Sequence, residues 1–566
     1  MIRCALLLAS LATATNARLP SPSRALSDSI PQVTAPAIDA AAEAAAAATS
    51  STNRASTSPA PHRFAVPFTD TVYDADVDGV WEESSSTGEQ IWRLRVSAPG
   101  AIHVNLGFSS YRMPEGGSLQ LMSASSDDVL TFTADDNKDH GELWTPIVVG
   151  SIVDLQVKLP PGVDPSELSL VLSSINSGFR GFAPSLEKSG SCNVDVECPQ
   201  GDDWQAEIRS VAVYSQGGST FCTGAMLNNA LEDRTPYFLT ANHCGINNNN
   251  EARSLVVFWN YETSTCGGTP DGRLDQFQTG ASFVAGSADT DFTLLRLDSQ
   301  PNPAWDVHYA GWDRTGQAMD GAVAIHHPST DEKSISFEND PTRFVRDAFG
   351  NAQDNNGAYI RVNDWDLGTT EPGSSGSPLF SFDHRVVGQL LGGSAACGNN
   401  LPDWYGALRT SWTGRGTSQT RLSDWLDPNN SGVTQTNTIG PTGSPPIPVV
   451  PATPIPPVAS PPSPTPSGGG VGFCLSGNTM VEVQGEGMVP MRQLRVGDAV
   501  RTCAGDFSPV YSFFHKYDSL SHSTCAFTRR TTTCPWRFRR ITCYGVRTVA
   551  SAPPKRFESG IAFRVS

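Results

Sequence analysis

The sequence predicts a mainly β chain built from several modules. Short alternating or wholly apolar stretches recur along most of its length, bounded by Gly and Pro turns. The 51 Gly and 42 Pro residues make up about a sixth of the 566 positions, which excludes a long coiled coil and an all-helical protein. A single dense Pro-rich stretch then divides the chain, and a length of this order accommodates about three to five domains. The formal net charge of −18 argues against a nucleic-acid partner, because binding phosphates needs a basic face. No run reaches the roughly 18 consecutive apolar residues that a membrane-spanning helix requires, so no membrane partner is expected.

In chain order, Arg3 followed by the apolar run from Cys4 to Ala14 and small residues ending at Ala17 has the order of a secretory signal, placed at 1–17. Residues 18–62 are mostly Ala, Ser, Thr and Pro with few large apolar side chains, and are expected to be a disordered leader. Over 63–188 the stretches Ile91 to Val96, Ile102 to Phe108, Leu119 to Met122, Val153 to Val157 and Leu168 to Leu172 alternate with turns. That spacing predicts a β-sandwich. It carries no cluster of nucleophile, base or metal ligands and reads as a folding or binding module.

Residues 189–430 continue in the same manner, with strands expected at Val211 to Tyr214, Tyr237 to Ala241, Leu255 to Trp259, Phe292 to Leu297, Ala322 to Ile325 and Val386 to Leu391. One helix is expected near Gln419 to Leu426. The linker, 431–473, holds twelve prolines between Pro441 and Pro466, then Gly468 to Gly470, an extended spacer ending in a flexible joint. Residues 474–520 have a globular composition, and 521–566 form a tail rich in Arg, Thr and Cys.

Hydrolysis by a serine needs a base to take the hydroxyl proton, a group to orient that base, and backbone N–H groups to stabilise an oxyanion. The 189–430 module offers each in a distinct local setting. His243 closes the strand-like run Tyr237-Phe238-Leu239-Thr240-Ala241, next to Cys244. Asp291 opens the apolar run Phe292-Thr293-Leu294-Leu295, and Asp289 is its rival, two residues farther from that run. Ser375 sits in the small-residue turn Gly373-Ser374-Ser375-Gly376-Ser377-Pro378. Of the twelve cysteines, six lie in this module: Cys192, Cys198, Cys222, Cys244, Cys266 and Cys397. An even number behind a secretory signal implies a disulfide framework, in any of about 15 pairings. Their spacing lacks paired CxxC units, so no metal or other cofactor is expected.

Taken with Ala310-Gly311-Trp312-Asp313-Arg314, Ile325-His326-His327-Pro328, Glu371 to Pro378 and Ser411-Trp412-Thr413-Gly414, these segments resemble the chymotrypsin-like, double β-barrel serine proteases, and within them the bacterial lysyl endopeptidases. His140 to Pro146 and Asn176 to Phe182 resemble the propeptide of the same family. The resemblance implies Ser375 as nucleophile, His243 as general base, Asp291 as its orienting carboxylate, and the N–H groups of Gly373 and Ser375 as the oxyanion hole. It implies the pairs Cys222–Cys244, Cys198–Cys266 and Cys192–Cys397.

It also implies a substrate pocket walled by Leu391, Gly392 and Gly393. The acid at its base would be Asp403, because Thr369 stands six residues before the nucleophile, where trypsin-like enzymes can place theirs. Cleavage after Lys or Arg of protein and peptide substrates is therefore expected, with a glutamyl-type specificity or a non-catalytic binding protein as alternatives. Where lysyl enzymes stack a histidine on a tryptophan, this chain has Leu391 and Asp347, a departure that bears on lysine-only preference. Lys188 before Ser189-Gly190-Ser191-Cys192 matches the junction between propeptide and enzyme, so a secreted zymogen that cuts after Lys188, with its own propeptide as partner, is expected. Finally, Cys474 to Val481 with Val496-Gly497-Asp498 resembles the opening of a Hint (hedgehog and intein) domain. There Cys474 would attack the Phe473 carbonyl, although the family's later Thr-x-x-His motif is missing.

Overall fold

The computed structural model describes residues 30–52, 60–70, 72–78, 80–127, 129–181, 189–317 and 319–441, and in the carboxy-terminal part 480–483, 487–490, 499–501, 507–516 and 561–565. The chain divides into two units, 1–458 and 459–566.

The first unit opens with the sandwich, two sheets of six strands each. In one, Gln90–Ser97 pairs with Ile152–Leu159, which pairs in turn with Ser118–Ser123. In the other, His103–Arg112 pairs with Ser169–Gly178. The inward residues of these strands, among them Leu94, Leu106, Phe108, Leu121, Leu155 and Leu172, fill the space between the sheets. The alternation along Gln90–Ser97, where every second residue from Trp92 is buried, is what the sequence pattern predicts for a sheet with one face inward.

The expected leader needs correction over 30–52. Gln32–Thr34 adds a parallel strand beside Arg95, Val96 and Ser97, with Val33 buried. Ala40–Thr52 is a helix. Asp39 caps it, its Oδ1 accepting the Ala41 and Ala42 N–H groups at 3.1 Å. A composition poor in large apolar residues was a poor guide because alanine is the strongest helix former, and such a helix needs only small contacts such as that of Ala47.

Two further eight-strand sheets curl into the double barrel. The first runs in the order Phe277–Thr279, Val256–Phe258, Val211–Gln216, Thr220–Leu227, Tyr237–Ala241, Phe292–Leu297, Ala281–Ser287, and includes His62–Arg63 of the preceding module. The second runs Val194–Asp195, Ser334–Glu338, Ala322–His326, Pro378–Phe380, Val386–Gly393, Asp403–Ala407, Tyr359–Val362, Arg343–Val345. A core of residues from both, including Leu239, Leu294, Trp312, Ile325 and Phe380, joins the barrels. The helix expected over 419–426 is interrupted: a 3-10 turn spans Ser418–Thr420, Arg421 is extended, and a single helical turn spans Ser423–Leu426.

The boundary at 430 also needs correction, because the barrel module runs on to 441. Asp313 pairs with Gln435 and Tyr309 with Ile439, which is 1% exposed. Thr438 Oγ1 donates to the buried Glu207 carboxylate at 2.8 Å, whose other oxygen lies 2.8 Å from His384 Nδ1. The polar run 429–438 hid this strap, since its anchors are hydrogen bonds rather than apolar side chains.

In the second unit, Met480–Val483, Gly487–Pro490, Ala499–Arg501, Phe507–Lys516 and Ile561–Val565 form one antiparallel sheet. The tail assigned to 521–566 thus contributes a strand, Ile561–Val565, to the preceding segment. Cys474 lies outside the described residues, as do Lys188 and the signal at 1–17.

Comparing chains that end at 441 and at 430 tests the strap. The shorter one loses the buried Ile439 and three buried threonine side-chain hydrogen bonds, so its thermal unfolding is expected several degrees lower, corresponding to about 2–4 kcal/mol. Coincident melting curves would show that the strap adds nothing.

Candidate active site

His243 and Asp291 come from adjacent strands of the first barrel. Tyr237–Ala241 and Phe292–Leu297 are antiparallel, with Ala241 opposite Phe292, so the residues that follow one and precede the other must meet. Asp291 Oδ2 lies 2.7 Å from His243 Nδ1, and Oδ1 accepts the His243 backbone N–H at 2.8 Å. Both side chains are 6% exposed. The carboxylate thus fixes both the ring and the backbone that carries it. It sets the ring with Nδ1 as donor and leaves Nε2 free of its proton when the imidazole is neutral. His243 Nε2 is buried and has no hydrogen-bond partner among the described residues. Asp291 holds a left-handed backbone conformation (φ +55°), a cost that its hydrogen bonds and the Asn242 N–H to Asp291 carbonyl bond (2.8 Å) offset. Asp289 lies elsewhere: its carboxylate is half-exposed and paired with Arg415.

The Ser375 turn comes from the second barrel and is seated on the strand leading to His243. Gly376 has φ +82°, and a Cβ there would lie 2.2 Å from Thr240 Oγ1 and 2.4 Å from the Thr223 carbonyl. Only glycine permits that approach. Thr223 holds the turn from beneath, its N–H donating to the Ser375 carbonyl and its hydroxyl to the Gly373 carbonyl, both at 2.9 Å. The Cys222–Cys244 disulfide ties the residue before Thr223 to the residue after His243, and the Ser375 carbonyl oxygen lies 4.0 Å from Cys244 Sγ. The N–H groups of Gly373 and Ser375 make no hydrogen bond among the described residues. The structure also pairs Cys192 with Cys397 and Cys198 with Cys266.

Asp403 is fully buried, and its Oδ2 accepts hydrogen bonds from Trp365 Nε1 (2.8 Å) and Thr370 Oγ1 (2.7 Å). It faces Gly393 across the antiparallel pair of Val386–Gly393 and Asp403–Ala407, and Oδ1 fills the place a Cβ on Gly393 would take, 2.2 Å away. Its carboxylate therefore reaches Thr370, next to the Thr369 position considered from sequence. A Cβ on Gly392 would meet nothing within 4 Å, so the strand has open space there. Leu391 is the extra residue of a bulge between the Leu390–Tyr405 and Gly392–Trp404 pairs. It packs with Val345, Tyr359 and Trp404, and Phe349 stands edge-on to Trp404 at 5.4 Å. Asp347 is exposed, and its carbonyl accepts the Gly350 N–H at 3.0 Å.

Residues given no role from sequence complete the surroundings of the site. Ser336 Oγ donates to the Thr369 carbonyl (2.9 Å) and so accepts from His326 Nε2 (3.1 Å). His326 Nδ1 then accepts from Ser374 Oγ (2.8 Å), which in turn accepts the Glu371 N–H (3.1 Å). This chain links the residue before Ser375 to the Asp403 side of the site. Burial pushes the His326 imidazole down to about 3, so it is neutral here. Glu371 accepts from Gly190 N–H (2.7 Å), Asn193 Nδ2 (3.0 Å) and Ser329 Oγ (2.7 Å), and Asp331 accepts from the Ser189 N–H (2.9 Å).

His326, His327 and His103 are all held below the ordinary imidazole value of 6.5 by burial. Unfolding lets each take up a proton that the folded state refuses. Stability is therefore complete above pH 6.5 and is lost as pH falls toward the folded values, by up to about 1.4 kcal/mol per pH unit for each group. Thermal unfolding followed from pH 7 to 4 is expected to show this slope, and His326→Gln to reduce it by one proton. Parallel curves for the two chains would contradict the assignment.

Comparison with known proteins follows the same outline. The model of the lysyl endopeptidase C-terminal domain matches residues 186–406, and that of the lysyl endopeptidase N-terminal domain matches residues 40–176. A lysyl endopeptidase of Pseudomonas aeruginosa is 29% identical over 337 residues, 55% of this chain and 70% of that protein. Two solved structures are similar at low scores and carry no argument about activity. The active form of the Rv3671c protease from M. tuberculosis is 14% identical, with TM-score 0.25, covering 39% of this chain and 88% of its own. The MamO protease domain from Magnetospirillum magneticum is 13% identical, with TM-score 0.25, covering 37% and 96%. With one lysyl endopeptidase model taking in the sandwich and the other most of the double barrel, the chain is a lysyl endopeptidase-like serine endopeptidase.

Proposed function

We propose that the double barrel cleaves peptide bonds after lysine or arginine and is made as a secreted zymogen. Ser375 Oγ attacks the substrate carbonyl carbon while His243 Nε2 takes its proton. The Gly373 and Ser375 N–H groups hold the oxyanion. His243 then returns the proton to the leaving amine as the C–N bond breaks, giving an acyl-enzyme that water hydrolyses by the same route. Asp291 holds the ring in the tautomer this needs and stabilises the imidazolium once it forms. The observation that carries the specificity is the wholly buried Asp403 carboxylate beside the open backbone of Gly392. A substrate ammonium or guanidinium placed there would be compensated by that charge, whereas a glutamate would meet like charge at short range. By the resemblance, Leu391 and Asp347 stand where lysyl enzymes stack a histidine on a tryptophan, which supports a pocket open to arginine as well as lysine.

The zymogen reading is supported by the anchoring of Ser189 and Gly190 on Asp331 and Glu371, which gives a cut after Lys188 a prepared seat for the new terminus. Three disulfides within one module fit the oxidising setting of a secreted protein.

Asp291→Asn is expected to lower kcat about 10⁴-fold with little change in KM, as removal of the orienting carboxylate does in other triads. Asp403→Asn is expected to lower kcat/KM for lysyl and arginyl bonds roughly 100-fold or more. Digestion of a peptide library checks it, and wild-type cleavage mainly after Glu would reject the Asp403 assignment. Ser375→Ala purified alone should remain joined through Lys188–Ser189, and a free Ser189 terminus in that variant would reject self-processing.

A further inference from the structure

One short segment presents two hydrogen-bond donors to the Asp403 carboxylate. Trp365 and Thr370 both lie within 363–370, the stretch that leads from the strand Tyr359–Val362 toward the Ser375 turn. That segment runs back along the strand Ser334–Glu338 and is tied to it along its length. Phe337 and Leu367 exchange backbone hydrogen bonds, at 2.9 and 3.2 Å. Ser336 Oγ donates to the Thr369 carbonyl, and a Cβ on Gly368 (φ +81°) would lie 2.4 Å from the same oxygen. Past the strand end, Asp366 Oδ2 accepts both the Asn339 N–H (2.8 Å) and Asn339 Nδ2 (3.0 Å).

Glu338 ends that strand, opposite Ala322, and is 1% exposed. Its two carboxylate oxygens each accept a backbone N–H, Oε1 from Asp340 at 2.7 Å and Oε2 from Asp364 at 3.2 Å. Asp364 is the neighbour of Trp365, whose indole packs against the core that holds Ile360, Leu390 and Tyr405. Burying a carboxylate is costly, and a strand end that needed packing alone would be met by an apolar side chain. What the ionised carboxylate supplies is two charged acceptors at once, one for each side of the gap.

We propose that Glu338 is a positioning residue for the specificity pocket: by binding the Asp340 and Asp364 N–H groups together it sets the segment that presents Trp365 and Thr370 to Asp403. This rests on the reading of Asp403 as the acid at the base of that pocket. Glu338 touches no substrate and acts through Trp365 on the orientation of the Asp403 carboxylate.

Burial pushes the Glu338 carboxyl up to about 7, against the lowering effect of the two N–H groups, and the Asp364 and Asp366 carboxylates raise it further. Asp340 and Arg361 act on Asp364 in opposite senses, and the strand on the other side places the uncharged Ala322 opposite. The ionised form holds both N–H groups. Protonation turns one oxygen into a donor and leaves one N–H without its acceptor, so a cation binds less well at Asp403 as pH falls through neutrality. By linkage, a bound cation favours ionised Glu338 by the same factor.

The test uses the active protein obtained from the full chain. Competitive inhibition by benzamidine, a cation throughout, is measured from pH 6 to 9, together with the indole N–H resonance of Trp365, assigned through Trp365→Phe. From pH 8 to 6 the inhibition constant is expected to rise roughly tenfold more in the wild type than in Glu338→Gln, a comparison from which the His243 titration cancels. The indole resonance should move with a midpoint near 7 in the wild type and stay fixed in the variant. Glu338→Gln preserves size and burial, yet should raise KM for lysyl and arginyl substrates at pH 8 roughly tenfold with kcat little changed.

Library cleavage mainly after Glu would reject the pocket reading, and the specificity role with it, even where the indole follows Glu338. A pocket that binds benzamidine while the indole stays fixed between pH 6 and 8 would overturn the proposal alone. So would Glu338→Gln kinetics identical to those of its parent. If that variant fails to fold, the wild-type indole titration decides.

Discussion

Everything in the candidate site depends on one contact between the barrels: the turn that carries Ser375 lies directly against the strand that carries His243. Gly376 makes it possible, because the Thr240 hydroxyl and the Thr223 carbonyl occupy the space any other side chain would need. Thr223 makes it definite. One residue holds the carbonyls of both Gly373 and Ser375, which fixes the peptide plane before Ser374 and the one after Ser375. Thr240 in turn donates to the Thr223 carbonyl at 2.9 Å, and its hydroxyl lies 2.9 Å from that of the buried Tyr214. Base, turn and support are therefore parts of one hydrogen-bonded stack, fastened at the side by Cys222–Cys244. Such a stack fixes the turn before any substrate arrives, which is the preorganisation the proposed oxyanion site would require.

The sequence was most informative where chemistry and periodicity coincide. Strands such as Tyr237–Ala241 and Phe292–Leu297 are continuous apolar runs bounded by turns, and their pairing is what brings His243 to Asp291. Elements held by polar contacts or by small residues were not legible. The strap at 431–441 looks like linker because Thr436 and Thr438 act through hydrogen bonds to the barrel. The helix Ala40–Thr52 looks like low complexity because alanine gives no periodic signal, although it is the residue best suited to a helix. The roles of Thr370 and Trp365 on Asp403 could not be anticipated from spacing, as 33 and 38 residues separate them from the aspartate.

The same strand serves both the contact with the sandwich and the candidate site. Thr220 and Phe221 carry the docked His62–Arg63 strand, Cys222 holds the disulfide, and Thr223 supports the turn beneath Ser375. Anything bound at the first two residues is thus close to Thr223, which supports the Gly373–Ser375 turn. Large apolar burial by Phe64 and Phe221 stabilises the docked state, while the hydrogen bond from Asn105 Nδ2 to the Gly218 carbonyl fixes its register. An extended edge offering backbone groups at that position would otherwise be open to other strands, and covering it is itself a protection during folding.

The start of the barrel module would tie the proposed maturation to that geometry by a separate route. Glu371 roots the turn: its N–H donates to Ser374 Oγ and its carbonyl accepts the Ser374 N–H at 3.0 Å. Its carboxylate is held by Gly190, Asn193 and Ser329. Burial pushes the neighbouring Asp331 carboxyl up, but hydrogen bonds from Glu332 and Ser189 outweigh this and hold it below the ordinary carboxylate value. An anionic Asp331 facing the Ser189 nitrogen accepts a neutral amide in the uncut chain. After a cut before Ser189 it would face an ammonium, and a charge-assisted bond replaces an ordinary one. A cut at that bond, which the proposed zymogen would undergo, would therefore strengthen the anchor of the segment that grips Glu371 and with it the hold on the turn carrying Ser375.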